Sequence, residues 1–184
     1  MAVFRFVLVC CCLVLCAGGN ALAQQALTRD MINAHFDQIV DFYTAAKPDM
    51  GKIAEFTKKY AADGALFKMT MTSNLSDKVL HIDQTTKEYI ASLYDTSKEL
   101  YNSKAKYTIT SVDYDKDGLG ALVKYTMLLK GTGRMIDKEK GVIDIDFSSL
   151  SSCDERFRLV DDVLKGVGAD CKIDAVYQKP VPVK

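Results

Sequence analysis

Over residues 119–130, and again over 142–177, apolar side chains recur at every second position and keep one phase. The odd-numbered residues read Leu119, Ala121, Val123, Tyr125, Met127 and Leu129, then Ile143, Ile145 and Phe147, then Phe157 and Leu159, then Val167, Ala169, Cys171, Ile173 and Ala175. Their even neighbours include Lys124, Lys130, Asp144, Asp146, Arg156, Arg158, Lys172 and Asp174. Successive side chains of a strand point to opposite faces, so this pattern calls for an antiparallel sheet with one buried face and one wet face. The spacing predicts strands over 105–114, 119–130, 142–151, 153–160 and 163–177. In the first of these Tyr107 and Ile109 share a parity that Val112 and Tyr114 do not, which predicts a β-bulge near Thr110 and a curved sheet. The stretch "GTGRMIDKEKG" reads as a charged connection, and "KPVPVK" as a loose tail.

Ahead of residue 105 the period is helical. Leu27, Met31, Ile32, Phe36, Ile39, Val40 and Tyr43 form one stripe of a helix over 26–46, with Thr28 as N-cap and Leu27 and Ile32 as a hydrophobic staple. Pro48 and Asp49 break the chain and cap a second helix over 52–60, ended by Asp63 and Gly64. A strand over 65–71, a turn over 73–77 and an extended piece over 79–82 follow. Thr85 and Glu88 make a capping box for a third helix running to about Tyr101. Helices first and a curved sheet afterwards predict an α+β domain with the helices on one face.

The first residues, "MAVFRFVLVCCCLVLCAGGNALAQQ", combine one early cation, Arg5, with a short apolar run and small residues at Ala21 and Ala23. This is the pattern of a secretory signal peptide cleaved after Ala23. It predicts a secreted or periplasmic protein whose single domain spans 24–184. Cys10, Cys11, Cys12 and Cys16 in the leader raise acylation as an alternative, but the lipobox pattern wants a small residue before the cysteine, and Leu15 precedes Cys16. No stretch is long and apolar enough to predict an integral membrane segment in the mature chain. Lysine plus arginine and aspartate plus glutamate each number 24. With no basic block, nucleic acid and anionic membrane are poor partners.

Only Cys153 and Cys171 remain after the leader, and an even count in an oxidising compartment predicts a disulfide. A turn centred on 161–163 pairs 153 with 171, 157 with 167 and 159 with 165, stapling the terminal hairpin. Asn74-Leu75-Ser76 fits a glycosylation sequon, which matters in a eukaryotic source.

The order helix, short helix, "FTKKYAADGALFKMTM", a helix entered through "TTKEYI", and a meander beginning "YTITSVDYDKDGLGALVKY" resembles the NTF2-like superfamily, also called SnoaL-like or cystatin-like in fold. The resemblance implies a cone in which the curved sheet wraps the helices around an apolar pocket. It leaves function open, because such folds include isomerases, dehydratases, cyclases, transport factors and non-catalytic modules.

The stretch "DYDKDGLG" supplies Asp113, Asp115, Asp117 and Gly118 at the first four telling positions of a calcium loop, but Lys124 stands where the bidentate carboxylate belongs. Asp-Gly between alternating runs is a hairpin signal, and the turn is the preferred reading, with weak calcium binding the minority one. Enzymes of the superfamily that the chain resembles place a carboxylate or histidine in the pocket. The late strands offer almost no inward carboxylate, since Asp144, Asp146 and Asp174 point outward. His35 is the strong candidate for a base, and a histidine bonded to a neighbouring carbonyl or hydroxyl is its structural reading. His81 reads as a surface loop residue, and the two histidines make no zinc motif. No cofactor motif is visible.

The pocket is expected to involve His35, Tyr43, Tyr94, Tyr125, Met127, Phe147 and Phe157, with Val123, Ile145 and Ile173 completing a wall that cannot take a proton near neutral pH. Three readings follow. The leading one is a non-catalytic module binding a small apolar ligand or a protein partner. The others are an isomerase or dehydratase using His35 and a pocket tyrosine, and a structural module that forms a homodimer through its sheet.

Overall fold

The computed structural model describes residues 25–96, 100–137, 141–178 and 181–182. The expected leader, with its four cysteines and cleavage site, lies outside the described residues. Three helices, α1 (Arg29–Tyr43), α2 (Met50–Tyr60) and α3 (Thr86–Thr96), accompany strands β1 (Ala61–Ser73), β2 (Ser76–Thr85), β3 (Leu100–Tyr114), β4 (Gly120–Asp137), β5 (Gly141–Val160), β6 (Val163–Tyr177) and the two-residue β7 (Val181–Pro182).

The helices begin where their caps dictate. The Thr28 side chain accepts from the Met31 amide at 3.3 Å, and Asp49 accepts from the Lys52 amide at 3.1 Å. At α3 the Thr85 amide donates to Glu88 Oε2 at 2.8 Å while the Glu88 amide approaches Thr85 Oγ1 at 3.4 Å, a reciprocal capping box. The helix ends before the expected position. The last described residue of α3 is Thr96, and Leu100 and Tyr101 already pair with Gly133 and Thr132 of β4. Leu100 and Tyr101 fit a helical stripe and a strand equally well, and tertiary pairing chose the strand.

One sheet holds all the strands in the order β2-β1-β6-β5-β4-β3, with β7 on β5. It is not purely antiparallel, because β1 runs parallel to β6. The connection through β2 and α3 carries the chain to the far edge of the sheet, and the meander β3 to β6 returns it beside β1. The residues expected as a charged connection continue β4 to Asp137, and the two strands expected over 142–151 and 153–160 are one, β5. The tail is also partly recruited, since Pro182 and Val181 pair with Ile143 and Asp144.

The bulge at Thr110 is present as a register shift between Ile109 and Ser111. A second one was not anticipated. The β5–β6 turn has two residues, Asp161 and Asp162, both at positive φ, so Leu159 faces Leu164 and Phe157 faces Gly166, not Lys165 and Val167. An extra residue at Val167 then shifts the register, and Cys153 faces Cys171 as expected. The disulfide between them is formed.

Two cores fill the space under the helices. Ile32 and Phe36 of α1 meet Val123, Phe157, Leu159 and Leu164 of the sheet. Met50, Ile53 and Ala54 of α2 meet Leu93 of α3. Among the described residues no helix is long and apolar enough to cross a membrane.

Candidate active or ligand-binding cavity

The acidic loop after β3 is a turn with committed carboxylates. The Gly118 amide donates to the Asp115 carbonyl at 3.0 Å, the Leu119 amide donates to Asp117 Oδ1 at 2.9 Å, and Gly118 takes a φ of 70°, which a side chain would resist. Arg156 Nη1 lies 3.0 Å from Asp115, and Arg158 Nη2 lies 2.8 Å from Asp117. These arginines occupy the oxygens a cation would need, and Asp113 stands on β3 facing Leu122 across the ladder. Among the described residues no group of three or more His, Cys, Asp or Glu is placed to hold a metal ion. His81 lies within β2, exposed, with Nδ1 3.3 Å from Thr70 Oγ1. Asn74, the sequon residue, donates to the Tyr177 carbonyl and accepts from the Tyr177 amide, each at 2.8 Å, so its amide already ties the β1–β2 turn to the end of β6.

A cavity of about 310 Å³ lies between the two cores. Helix α1 contributes His35, Ile39 and Tyr43, α2 contributes Ile53, Phe56 and Tyr60, and α3 contributes Tyr89. The sheet closes it with Phe67, Met69 and Met71 of β1, Tyr125 and Met127 of β4, and Ala169, Cys171 and Ile173 of β6. Of the residues expected there, His35, Tyr43, Tyr125, Met127 and Ile173 line it, and Tyr94, Phe147, Phe157, Val123 and Ile145 do not. Tyr94 is 45% exposed on the outer side of α3. Phe157 is wholly buried in the core beneath, edge-on to His35 at 5.2 Å between centroids, and Phe147 tilts against Tyr177.

The principal correction is Glu155, which also lines the cavity. It stands on the inner face of β5, between Cys153 and Phe157, and its carboxylate Oε2 accepts the Tyr125 hydroxyl at 3.0 Å. Tyr125 faces Cys153 across the ladder, so the pair are diagonal neighbours on one sheet face, close enough for a tyrosine to span. The alternation that marks Phe157 and Leu159 as inward applies equally to residue 155, so a carboxylate in the apolar phase was the available signal. The other oxygen, Oε1, packs beside Gly166, where a Cβ would sit 2.9 Å from it.

Burial is the main force on Glu155 and pushes its carboxyl up to about 7, against the lowering effect of the Tyr125 hydrogen bond. The wall does, therefore, carry a group that takes a proton near neutral pH. The side chain retains some solvent-sized space around it because it faces the cavity, although it lies deep in the molecule. Burial also raises Tyr43, and raises Tyr89 to about 12 with help from the Glu155 charge, so these phenols stay protonated.

His35 is 9% exposed, with rings of Phe56, Phe157, Tyr60 and Phe36 within 4.9 to 5.7 Å of its own. Its Nδ1 is buried without a hydrogen-bond partner among the described residues, unlike the bonded histidine expected. Desolvation lowers it to about 4, so the ring is neutral near neutral pH.

No family model matches the sequence, and no curated protein matches it. Among solved structures the chain is similar to the Kfla4162 protein of Kribbella flavida, at 10% identity and a TM-score of 0.49 over 83% of this chain and 92% of that one. It is similar to an NTF2-like protein from Cytophaga hutchinsonii, at 14% identity and a TM-score of 0.45 over 79% and 98%. A hexachlorocyclohexane dehydrochlorinase of type 2 is similar at 11% identity and a TM-score of 0.42 over 85% and 88%. The order helix, helix, strand, strand, helix and four-strand meander, on which the resemblance to the NTF2-like superfamily rested, is the order observed.

Proposed function

We propose that the chain binds a small, largely apolar molecule in the cavity and orients it through the Glu155–Tyr125 pair. One observation carries this reading: a cavity of about 310 Å³, walled mainly by apolar and aromatic side chains, is lined by a single carboxylate, Glu155, of which only Oε2 is taken up by the Tyr125 hydroxyl among the described residues. An apolar chamber with a few convergent polar groups is the usual form of a small-molecule site, and this volume is at the small end of that range. The expected test is calorimetry with 2-naphthol, an apolar ring with one hydroxyl. It binds with one-to-one stoichiometry, and Ala169→Phe, which fills the cavity, abolishes binding. Failure of 2-naphthol to show saturable binding to the unaltered protein overturns the reading. The disulfide and the leader pattern together support export to an oxidising compartment, which N-terminal sequencing of the exported chain, starting at Gln24, checks.

A second reading is favoured by the raised Glu155 carboxyl. A base with a pKa near the working pH is suited to removing a proton from carbon, and Glu155 takes this role in place of His35, which burial holds too low. The carboxylate takes an α-proton from a ketone, and a protonated Tyr43 or Tyr89 phenol donates to the resulting enolate oxygen. Exchange of the α-hydrogens of 2-tetralone in heavy water, followed by NMR, checks it. Exchange rises with pH through about 7 and falls by about a hundredfold in Glu155→Gln. Exchange no faster than in buffer removes the enzyme reading.

A further inference from the structure

We propose that the preferred occupant of the cavity is a lipophilic amine bound as its cation, with the ammonium group seated against Glu155 Oε1 and the apolar part among the aromatic rings. The inference rests on the binding reading above and adds the charge of the ligand. Its first support is the carboxylate's lack of a counter-charge. The Tyr125 hydroxyl occupies Oε2, no other hydrogen bond to Glu155 is present among the described residues, and none of the ion pairs there includes it. The neighbouring arginines, Arg156 and Arg158, point to the other face and hold Asp115 and Asp117.

Among the described residues no positively charged side chain pairs with Glu155, and the one cation lining the cavity, Lys68, is an exposed residue. From α1 comes His35, which burial keeps neutral, from α3 the Tyr89 phenol, from β4 the Tyr125 phenol, and from β1 Lys68, whose side chain is exposed. A buried carboxylate without a partner charge is costly, and a cationic ligand supplies that partner. An anionic ligand would add a second like charge.

The second support is the wall itself. Tyr43, Phe56, Tyr60, Phe67, Tyr89 and Tyr125 all line the cavity, and the faces of aromatic rings attract cations. Rings beside a lone carboxylate are the arrangement that recognises an organic ammonium ion. Oε1 lies beside Gly166, where an added Cβ would come within 2.9 Å and push the carboxylate aside.

The test compares three probes of one shape, 4-phenylbutylamine, 4-phenylbutan-1-ol and 4-phenylbutanoate, by calorimetry at about pH 8, where Glu155 is mostly ionised. The amine is expected to bind about tenfold or more tightly than the alcohol, and the carboxylate least tightly. In Glu155→Gln the amine is expected to lose its advantage over the alcohol. In Tyr125→Phe, which retains the carboxylate but removes the hydrogen bond that lowers it, the advantage is expected to remain once the pH is raised enough to ionise Glu155. Alcohol binding as tight as amine binding, or an amine preference that survives Glu155→Gln, overturns this inference and leaves the cavity reading intact. The ranking in the unaltered protein decides the matter if the variants do not fold. Binding of none of the three overturns the cavity reading and this inference together.

Discussion

Glu155 and His35 face the same cavity from strand and helix, and scarcity of water moves their proton equilibria in opposite directions. Glu155 rises from 4.5 to about 7, so between those values the folded chain holds a proton that the unfolded chain has lost, and stability falls as pH rises through that window. His35 drops from 6.5 to about 4, so between those values the unfolded chain holds the extra proton, and stability falls as pH falls. The windows overlap almost completely, and the two slopes cancel over about pH 4.5 to 6.5. Denaturant unfolding of the unaltered protein is expected to be nearly flat with pH there. Glu155→Gln uncovers the His35 slope, with stability increasing by up to about 1.4 kcal/mol per pH unit, and His35→Leu uncovers the opposite slope. Two variants with slopes of the same sign would show that one of these environments is wrong.

Strands β5 and β6 carry both the disulfide and one wall of the cavity. Cys153 pairs across the ladder with Cys171, and Cys171 also lines the cavity, two residues along each strand from Glu155 and Ala169. The bond closes a loop of 18 residues in sequence separation. By chain entropy it contributes about 3 kcal/mol. The double variant Cys153→Ala with Cys171→Ala is therefore expected to unfold at lower denaturant by about that free energy, with an altered unfolding slope. No loss of stability on removing the pair would mean that the ladder alone defines this hairpin. Edge strand β2 is the counterpart, with Val79 and Leu80 about half exposed and only β1 beside it.

At the scale of the whole molecule, helix α1 is anchored on the sheet through one buried ring. Phe36 of α1 is fully buried and meets Tyr107 of β3, Tyr125 of β4 and Phe157 of β5 at centroid separations of 4.5 to 5.9 Å. Tyr107 also donates its hydroxyl to Asp37 at 2.8 Å, and the Leu27 amide donates to the Gly118 carbonyl at 2.8 Å, tying the start of the described chain to the β3–β4 turn. Phe36→Ala removes the ring from all three contacts and is expected to cost about 3 to 5 kcal/mol in denaturant unfolding. A cost below about 1 kcal/mol would place the helix–sheet anchor elsewhere.

Local chemistry was legible in the residues themselves. The caps at Thr28, Asp49 and Thr85, the bulge at Thr110, the Asp-Gly turn and the facing cysteines each depend on neighbours close in sequence or on strand parity, so the sequence by itself was enough to place them. The parallel placement of β1 beside β6, the continuity of β5 through its serines and the bulge at Val167 depend on which strand lies alongside, and no local pattern encodes that. Parity applied to residue 155 would have put Glu155 on the inner face, but it could not say that an inward carboxylate there would meet a tyrosine from β4, lie beneath three helices and face an unfilled space. Those follow from long-range packing, and desolvation by that packing is what makes an ordinary glutamate a group that titrates near neutral pH.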